Sequence, residues 1–328
     1  MRLLRLPGLI ILILLTAFGF FWGGFALWYQ LPLDLPGVTG GVIVWGLIGL
    51  VVLWLEVTGR VRRALIVLIP VMAALLFWWS TITPSLNRIW ADDVAQTVTG
   101  TLVGNHVTLA NVRNFEWRSQ TDYTPRWEVR SYDLENLASV DVFLSYWSSP
   151  AIAHTLVSFG FNNGDQVVFS AEIRKKRHEQ FSEIGGFFKQ FELAMIAADE
   201  RDIIRLRSNI RKEDVYRYRV NLTPEMRQAL FLSYLDTGNR LSKQAQFYNT
   251  VTANCTTVIF DMIRAITPGV PLDYRVVLSG YLPGYLYDLG AIDRSRPLEA
   301  EIEAASINQR AMDADKAEDF TARIRADN

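Results

Sequence analysis

The sequence predicts three membrane-spanning helices followed by a mixed α+β domain with an antiparallel sheet. Long uncharged runs fill the first 87 residues, strand-like alternation with a hairpin signal follows, and helical periodicity surrounds the single cysteine. Hydrophobic residues make up 50% of the 328 residues, while charged residues make up only 20%. Soluble domains carry about 25% charged residues, so part of this chain is expected in lipid.

The membrane anchor is predicted over residues 1–83. A bilayer core of about 30 Å takes about 20 apolar residues in a helix. The uncharged runs cover residues 6–33, 35–55 and 64–87, and they predict spans near 8–29, 36–55 and 64–82. The first run is too long for a signal peptide, and aromatic residues replace the small residues of a cleavage site. We therefore expect it to remain as a helix.

Arginines near these runs predict the orientation. They precede the first span or lie between the second and third: Arg2, Arg5, Arg60, Arg62 and Arg63. The loop between the first two spans carries only Asp34. The positive-inside rule then places the N-terminus in the cytoplasm and the chain in a bacterial inner membrane. Three crossings put the remaining residues in the periplasm.

Residues 84–299 are expected to form a periplasmic α+β domain. Residues 300–328 are polar and predict a tail that is either helical or disordered. Between them the patterns indicate strands within 92–118, a hairpin over 156–173, a helix over 187–198, strands over 203–220 and a helix over 224–240.

The hairpin is signalled by Asn163-Gly164 between two apolar runs. A two-residue turn makes the numbers of paired residues add up to 327, and a three-residue loop with a bulge makes them add up to 328. Shifting a strand by one residue moves every side chain to the other face. Of these two registers, only the second puts Glu172 on the same face as His154.

The single cysteine begins a predicted helix. One apolar face repeats at helical spacing through Cys255, Val258, Ile259, Met262, Ile263 and Ile266, and Pro268-Gly269 ends the helix. Asn254 or Thr252 is placed to cap it. Unpaired N–H groups and the helix dipole in the first turn favour a thiolate, and hence a nucleophile. The alternative is an ordinary buried cysteine.

A thiol nucleophile needs a base, and the chain has three histidines. His154 begins a predicted strand and is the best candidate, although a lone histidine is often structural. His178 lies in a charged run and His106 follows a turn. The charge balance of 33 basic and 34 acidic residues argues against nucleic-acid binding. One cysteine excludes a disulfide within the chain, and we expect no metal site and no cofactor.

Several segments together resemble the Lnb N-terminal periplasmic domain family. They span residues 90–290 and are Asn111–Phe115, Ile152–Thr155 with Ser158–Phe161, Ser170–Arg174, Ala198–Asp202, Phe247–Asn249 and Asn254–Thr257. The resemblance implies a circularly permuted papain-like, NlpC-type thiol fold in which histidine precedes cysteine, as in lecithin–retinol acyltransferase-like proteins. It also implies lipoprotein N-acylation, with Cys255 as nucleophile and His154 as base. A membrane phospholipid would donate the acyl chain, and a lipoprotein N-terminus would accept it.

Further site candidates surround this pair. Glu172 would orient His154, or it would form a structural ion pair with Arg174. The candidates for substrate binding are Arg113, Asn114, Tyr248 and Asn254, with turn or cap chemistry as their alternative. The charged residues at 199–207 indicate a structural salt-bridge network.

Two other functions stay open at this point. A cysteine peptidase or amidase of the cell envelope would use the same pair with water as the acceptor. A membrane-anchored scaffold would bury the cysteine and make no use of its chemistry.

Overall fold

The computed structural model describes residues 5–326. Arg2 lies outside them. The helices are α1 (Arg5–Gln30), α2 (Leu35–Val57), α3 (Val61–Thr81), α4 (Glu200–Arg205), α5 (Pro224–Lys243), α6 (Cys255–Ile266), α7 (Tyr274–Val277), α8 (Leu282–Asp288), α9 (Leu298–Ala305), α10 (Asn308–Asp313) and α11 (Phe320–Arg323). The strands are β1 (Thr99–Val103), β2 (His106–Arg113), β3 (Glu116–Trp117), β4 (Tyr123–Thr124), β5 (Trp127–Asp133), β6 (Leu137–Tyr146), β7 (Ala153–Phe161), β8 (Gln166–Arg174), β9 (Glu192–Ala198) and β10 (Asp214–Arg219).

The described chain divides into two compact units. The residues up to Ser85, together with Ser182–Gln190, form the membrane unit. Leu86–Phe181 and the residues from Phe191 onward form the second unit, here called the sheet unit.

The membrane unit contains the three predicted spans. Helices α1, α2 and α3 are long and apolar enough to cross a bilayer, so the predicted apolar helices are confirmed. Asp34 caps α2 by accepting a hydrogen bond from the N–H of Gly37 at 3.1 Å. Helices α1 and α2 approach closely at Gly49, where a Cβ atom would lie 2.8 Å from the ring of Phe20. A small residue is needed there, as is common where membrane helices pack.

The sheet unit is built on a mixed sheet of eight strands. Seven strands follow the order β1-β2-β9-β8-β7-β6-β10, and β5 pairs with β2. Among the described residues, the paired strands of this sheet are antiparallel except for β2 and β9, which run parallel through Val112↔Ala197 and Arg113↔Ala198. The sheet was predicted to be antiparallel; it is mixed, because this pair of strands runs parallel. A parallel pair needs a long connection, and the chain between β2 and β9 supplies one.

The predicted hairpin is formed by β7 and β8, but with a different register. Val157 pairs with Phe169 and Gly160 with Gln166, so the numbers of paired residues add up to 326. The loop between the two strands has four residues, Asn162 to Asp165, and begins one position earlier than predicted, with Gly164 at a φ of 90°. Both predicted sums are wrong. Because 326 and 328 have the same parity, Glu172 nevertheless points to the same face as His154.

Two other segments differ from their predicted structure. Residues 192–198, placed in a predicted helix, form strand β9, which is buried along its whole length. A strand covered on both faces shows no alternation, so its Ala, Leu and Met residues resembled a helix. Residues 203–207, predicted as strand, continue α4 and its π-helical extension instead. The side chain of Asp199 begins that helix by accepting the N–H of Arg201.

Helices cover both faces of the sheet. On one face, α5 and α6 pack against Val157 and Phe159 of β7. On the other face, α4, α10 and α11 form a second core that contains Leu156. Residues 300–326, for which the sequence left helix and disorder open, contain α10 and α11, and Phe320 of α11 is fully buried.

Candidate active site

Cys255 is the first residue of α6, and Asn254 is the cap of that helix. The Asn254 side-chain oxygen accepts the N–H groups of Thr256 and Thr257, both at 2.8 Å. The Thr257 hydroxyl accepts the N–H of Asn254 at 2.9 Å, which completes a capping box. The thiol is thereby fixed at the positive end of the helix dipole. Asn254 itself is occupied by this role and by a 2.7 Å bond from its amide to the carbonyl of Thr250.

The thiol lies where β7 and β8 separate. Hydrogen-bonded pairing of these strands covers only Val157 to Gly160 of β7, although β7 extends back to Ala153. Continued in register, Thr155 would face Ala171. Its N–H instead donates to the Cys255 sulfur, and its hydroxyl lies 2.9 Å from that of Thr256. The first residues of α6 therefore contact β7 at the point where β8 no longer pairs with it.

His154, Ser170 and Glu172 form a connected group beside the thiol. The Nε2 atom of His154 lies 2.7 Å from the Ser170 hydroxyl and 3.0 Å from Glu172 Oε1. Ser170 also donates to Glu172 at 2.8 Å. Because these contacts engage Nε2, the Nδ1 atom is the ring nitrogen left for the thiol of Cys255. The structure thus brings together the three residues predicted to do chemistry.

Arg207 contacts Glu172, as His154 and Ser170 also do. It lies 3.1 Å from Glu172 and 3.3 Å from Glu213. Glu213 in turn accepts the hydroxyl of Ser145, which is paired with His154 across β6 and β7. Glu172 is held between a histidine and an arginine, an arrangement that favours its ionised form. We call Cys255, His154, Glu172 and Arg207 the thiol cluster.

The pKa values in the thiol cluster favour a charged pair. Burial and the charge of Arg207 lower the pKa of His154, but Glu172 and Cys255 outweigh them and raise it to about 9. Burial opposes ionisation of Cys255, yet His154 and the N–H of Thr155 bring the pKa of its thiol below the ordinary value. Burial likewise opposes ionisation of Glu172, whose pKa is held well below its usual range by His154 and Arg207. These directions favour a thiolate on Cys255 beside an imidazolium on His154.

Tyr234 is a further group at the thiol. Its side chain comes from α5, is fully buried, and packs against Phe159 and Phe169. Its hydroxyl has no hydrogen-bond partner within residues 5–326. Burial raises the pKa of Tyr234, and the negative charge of Cys255 raises it further. An unpaired buried hydroxyl is costly, so its presence beside the thiol requires an explanation.

Two other predicted residues lie in a separate ion-pair cluster. Arg113 is buried and contacts both carboxylate oxygens of Asp202, at 2.8 and 3.0 Å. Asp202 also accepts the N–H groups of Phe115 and the Trp117 ring. Asn114 donates to Glu128 at 2.8 Å. The structure does not bring Arg113 or Asn114 to the thiol, and their contacts are those of a structural network.

Tyr248 lies in the segment before α6. Its N–H donates to the carbonyl of Phe191 at 3.0 Å, and its ring packs partly buried against the core. The contacts of Glu172 are to His154, Ser170 and Arg207, whereas Arg174 donates to the carbonyls of Val94 and Ala95. The alternative ion pair between Glu172 and Arg174 is therefore absent from the described residues.

Sequence reasoning missed four groups at the site: Thr155, Ser170, Arg207 and Tyr234. Ser170 lies two residues before Glu172, and alternate residues of a strand share a face. The predicted hairpin could therefore have placed Ser170 beside Glu172. Arg207 was placed in a strand, which separated it from Glu172. Nothing in the sequence marks Tyr234, because its role depends on how α5 packs. Within residues 5–326, no three His, Cys, Asp or Glu side chains group as metal ligands.

Comparison with known families gives one match. Residues 123–280 match the model of the Lnb N-terminal periplasmic domain. The searches of curated proteins and of solved structures found no match. The matched region contains β5 to β8 and α6, and so both His154 and Cys255. The chain joins three apolar helices to a domain of a periplasmic family. Residues 123–280 are therefore similar to the Lnb N-terminal periplasmic domain family, which is the family that the sequence motifs indicated.

Proposed function

We propose that this protein is a membrane-anchored periplasmic acyltransferase that transfers an acyl chain from a phospholipid to a lipoprotein N-terminus through a thioester on Cys255. The observation that carries this proposal is the thiol cluster. A cysteine at a helix N-terminus lies beside a histidine that contacts a half-buried carboxylate. Nucleophile, base and orienting group in that order are the usual signature of covalent catalysis by a thiol.

The fold that we propose for this site is papain-like in permuted order. In its support, the cysteine begins a helix packed on a sheet, and the histidine comes earlier in the chain from a neighbouring strand. The carboxylate contacts Nε2 of His154, which leaves Nδ1 for the thiol, and this arrangement matches the chemistry that such a pair needs.

In the first half-reaction, the Cys255 thiolate attacks the carbonyl carbon of a phospholipid ester. The sulfur–carbon bond forms as the bond from that carbon to the glycerol oxygen breaks. The imidazolium of His154 gives its proton to the leaving oxygen, so a lysophospholipid departs. The acyl chain stays on Cys255 as a thioester.

In the second half-reaction, the α-amine of the lipoprotein attacks the thioester. A nitrogen–carbon bond forms, the sulfur–carbon bond breaks, and His154 takes the proton from the amine. The thiolate and the imidazolium are then restored. Glu172 stays ionised throughout and stabilises the imidazolium, while Arg207 keeps Glu172 in place.

Two donors support the negative oxygen that develops on the attacked carbon. In the first turn of α6, Asn254 occupies the N–H groups of Thr256 and Thr257, whereas that of Cys255 has no partner among the described residues. The buried hydroxyl of Tyr234, which has no partner in the described chain and whose pKa responds to the charge of Cys255, is the proposed second donor. Preformed donors of this kind contribute more inside a protein than in water.

The membrane helices favour a lipid substrate. A phospholipid donor and a lipoprotein acceptor both reside in a bilayer, and α1 to α3 would keep the enzyme there. We propose that the N-terminus is cytoplasmic and the sheet unit periplasmic, and the arginine distribution of the sequence supports this orientation. A hydrolase acting on a soluble peptide has no need of such an anchor.

The test is intact-mass measurement on the full chain in detergent. Wild-type protein, Cys255→Ser and Cys255→Ala are each incubated with a phospholipid of defined acyl chain. We expect wild type to gain the mass of one acyl group, and we expect hydroxylamine to remove it. Cys255→Ala should gain nothing, and any adduct on Cys255→Ser should resist hydroxylamine because it is an oxygen ester. Adding a diacylated lipopeptide should discharge the wild-type adduct and acylate the peptide.

Other outcomes point elsewhere. An adduct that water discharges as fast as the lipopeptide does would indicate a hydrolase. If wild type gains no mass and Cys255 reacts readily with iodoacetamide, a peptidase or amidase is the better assignment. If it gains no mass and Cys255 resists alkylation in the folded protein, the scaffold function is favoured.

A further inference from the structure

Residues Ser182–Gln190 form a loop that packs with the membrane helices. In sequence the loop lies between β8 and β9 of the sheet unit. In the structure it belongs to the membrane unit, together with α1 to α3. A loop joining two sheet strands usually needs no such partner, so its contacts indicate a separate task.

Polar contacts fix the loop at the C-terminal ends of α1 and α3. The Gln30 side chain donates to the carbonyl of Phe188 at 2.7 Å, and the hydroxyls of Tyr29 and Ser182 are 3.1 Å apart. Lys189 donates to the carbonyls of Trp79 and Ile82 at 2.8 and 3.2 Å. These carbonyls lie at the end of α3, where a helix leaves acceptors unpaired. Lys189 thus acts as a cap supplied from another part of the chain.

Aromatic rings continue the contact. Phe188 stacks on Phe25 and Tyr29, with ring centroids 5.4 and 5.8 Å apart, and lies 6.2 Å from Trp22. The ammonium of Lys189 lies 4.6 Å from the centre of the Trp79 ring. Tyrosine and tryptophan at a helix end are typical of the boundary between lipid and water.

These contacts define the depth of the loop. Helix α1 ends at Gln30, and Phe25 lies five residues before that end, which is about 7 Å along the axis. Phe188 therefore lies level with the last two turns of a predicted span. This is the depth of the headgroup and upper acyl region of a bilayer.

The other side of the loop exposes apolar side chains. Ile184 is 50% exposed and Phe187 is 45% exposed. Ile184 precedes the 3-10 turn Gly185–Phe187, and Phe187 is its last residue. The N–H of Gly185 donates to the Ser182 hydroxyl. Glu183 beside them is also exposed, which suits the interface and not the hydrocarbon core. Two large apolar side chains kept in water would be unfavourable.

We propose that Ser182–Gln190 is a membrane-inserting loop, and that Ile184 and Phe187 enter the lipid bilayer at the level of the headgroup boundary. The bilayer is the occupant because the loop continues the apolar surface of α1 and α3. The buried side of the loop, formed by Phe188 and Lys189, holds it against the helices. The exposed side then faces the lipid around them. This inference does not depend on the acyl-transfer proposal.

The test uses the full chain in nanodiscs of phosphatidylethanolamine and phosphatidylglycerol. The background is Cys255→Ser, which removes the only native thiol. Ile184→Cys and Phe187→Cys are each labelled with an NBD fluorophore, and lipids carrying a nitroxide near the headgroup serve as quenchers. The matched control is Val129→Cys on β5, an exposed apolar residue of the sheet unit that is 69% exposed.

We expect the nitroxide lipids to quench positions 184 and 187 at least about twofold more than position 129, because interfacial side chains reach about 5–10 Å into the bilayer. Both replaced side chains are exposed, so folding should survive, and unchanged circular dichroism and melting would show it. Equal quenching at all three positions would overturn the proposal. If a labelled variant loses its fold, Phe187→Trp with brominated lipids provides the same measurement, and absence of added quenching relative to the parent protein would contradict insertion.

Discussion

Two buried charge clusters lie along the same strand of the sheet unit. One is the thiol cluster, to which β7 contributes His154. The other, here called the Arg325 cluster, receives Ser158 from the same strand and consists of Asp141, Glu200, Arg217, Arg219 and Arg325. In the second cluster Asp141 is fully buried and contacts three arginines, and Glu200 accepts both Arg325 and the Ser158 hydroxyl.

The two clusters differ in whether their side chains can gain or lose a proton near neutral pH. The Arg325 cluster pairs carboxylates with guanidinium groups, which stay charged at every physiological pH. The thiol cluster starts with the same elements, Glu172 and Arg207, but ends in a histidine and a cysteine. Charges are paired in both clusters, and the thiol cluster adds two groups that can exchange a proton, which is the basis of the proposed chemistry.

The largest expected effect comes from removing the proton carrier. His154→Gln should slow acyl transfer to Cys255 by about 10³-fold or more, because general base and ion-pair partner are lost together. The measurement is the rate of thioester formation by intact mass. His106→Gln is the matched control, since His106 is exposed on β2, and it should match wild type. Equal rates for the two variants would remove His154 from the mechanism.

A large effect of a different kind is expected in the Arg325 cluster. Arg325→Ala leaves Asp141 and Glu200 short of a partner, which typically costs about 3–5 kcal/mol of folding free energy. The melting temperature in detergent should fall by several degrees, while thioester formation per folded molecule stays the same.

The control for that variant is Arg323→Ala. Arg323 pairs with Asp319 on the surface of α11, with side chains more than half exposed, so melting should barely change. Loss of specific activity in folded Arg325→Ala protein would show that the two clusters are not separate in function.

A moderate effect is expected at the orienting carboxylate. Glu172→Gln keeps the shape but removes the charge that holds His154 protonated, so thioester formation should slow by about 10- to 100-fold. Arg207 would then lose one of its two carboxylate partners. The pKa of His154 should fall because the negative charge beside it is gone. The pH profile of the reaction should shift to lower pH on its basic side. Glu135→Gln, at an exposed position, should leave both rate and profile unchanged, and an unchanged profile in Glu172→Gln would contradict the orienting role.

The smallest effect is expected at the unpaired tyrosine. Tyr234→Phe removes a buried hydroxyl without a partner, so stability should stay or rise slightly. If the hydroxyl stabilises the developing oxyanion, thioester formation should slow by about tenfold. Tyr132→Phe is the control, because Tyr132 also has a buried hydroxyl without a hydrogen-bond partner in the described chain. A rate in Tyr234→Phe equal to that of Tyr132→Phe would leave the hydroxyl without a catalytic role.

Much of this fold is readable from local patterns. The three spans, the β7–β8 hairpin, helix α5 and the Asn254 cap each depend on nearby residues, and the structure has all of them. Strand β9 and helix α4 were misassigned because both are buried on several sides, so neither shows the polar face that identifies its period.

For the candidate site too, local sequence patterns identify only some of the residues. Cys255 and His154 could be selected because the chain has one cysteine and three histidines. Arg207 and Tyr234 depend on packing between distant elements, and no local pattern reports that. Whether Glu172 shares a face with His154 depends on the length of the β7–β8 loop. An Asn-Gly pair limits the possible loop lengths but does not determine one.

The central claim is that Cys255 and His154 form a thiolate–imidazolium pair. The stability of that pair has a defined pH window. Since the pKa of His154 is raised to about 9, its contribution is complete below its ordinary pKa of about 6.5 and is lost as pH rises through about 9. The contributions of Cys255 and Glu172, whose pKa values are lowered, are lost as pH falls through those lowered values.

The most direct measurement is the rate of iodoacetamide alkylation of Cys255 against pH, in wild type and in His154→Gln. Chain denaturation is monitored in parallel at each pH. Wild-type Cys255 is expected to react as a thiolate below pH 8.5, since about 8.5 is the ordinary pKa of a thiol. The variant should require a pH at or above that value. Superimposable profiles centred near the ordinary thiol pKa in both proteins would contradict the ion pair, and with it the proposed chemistry.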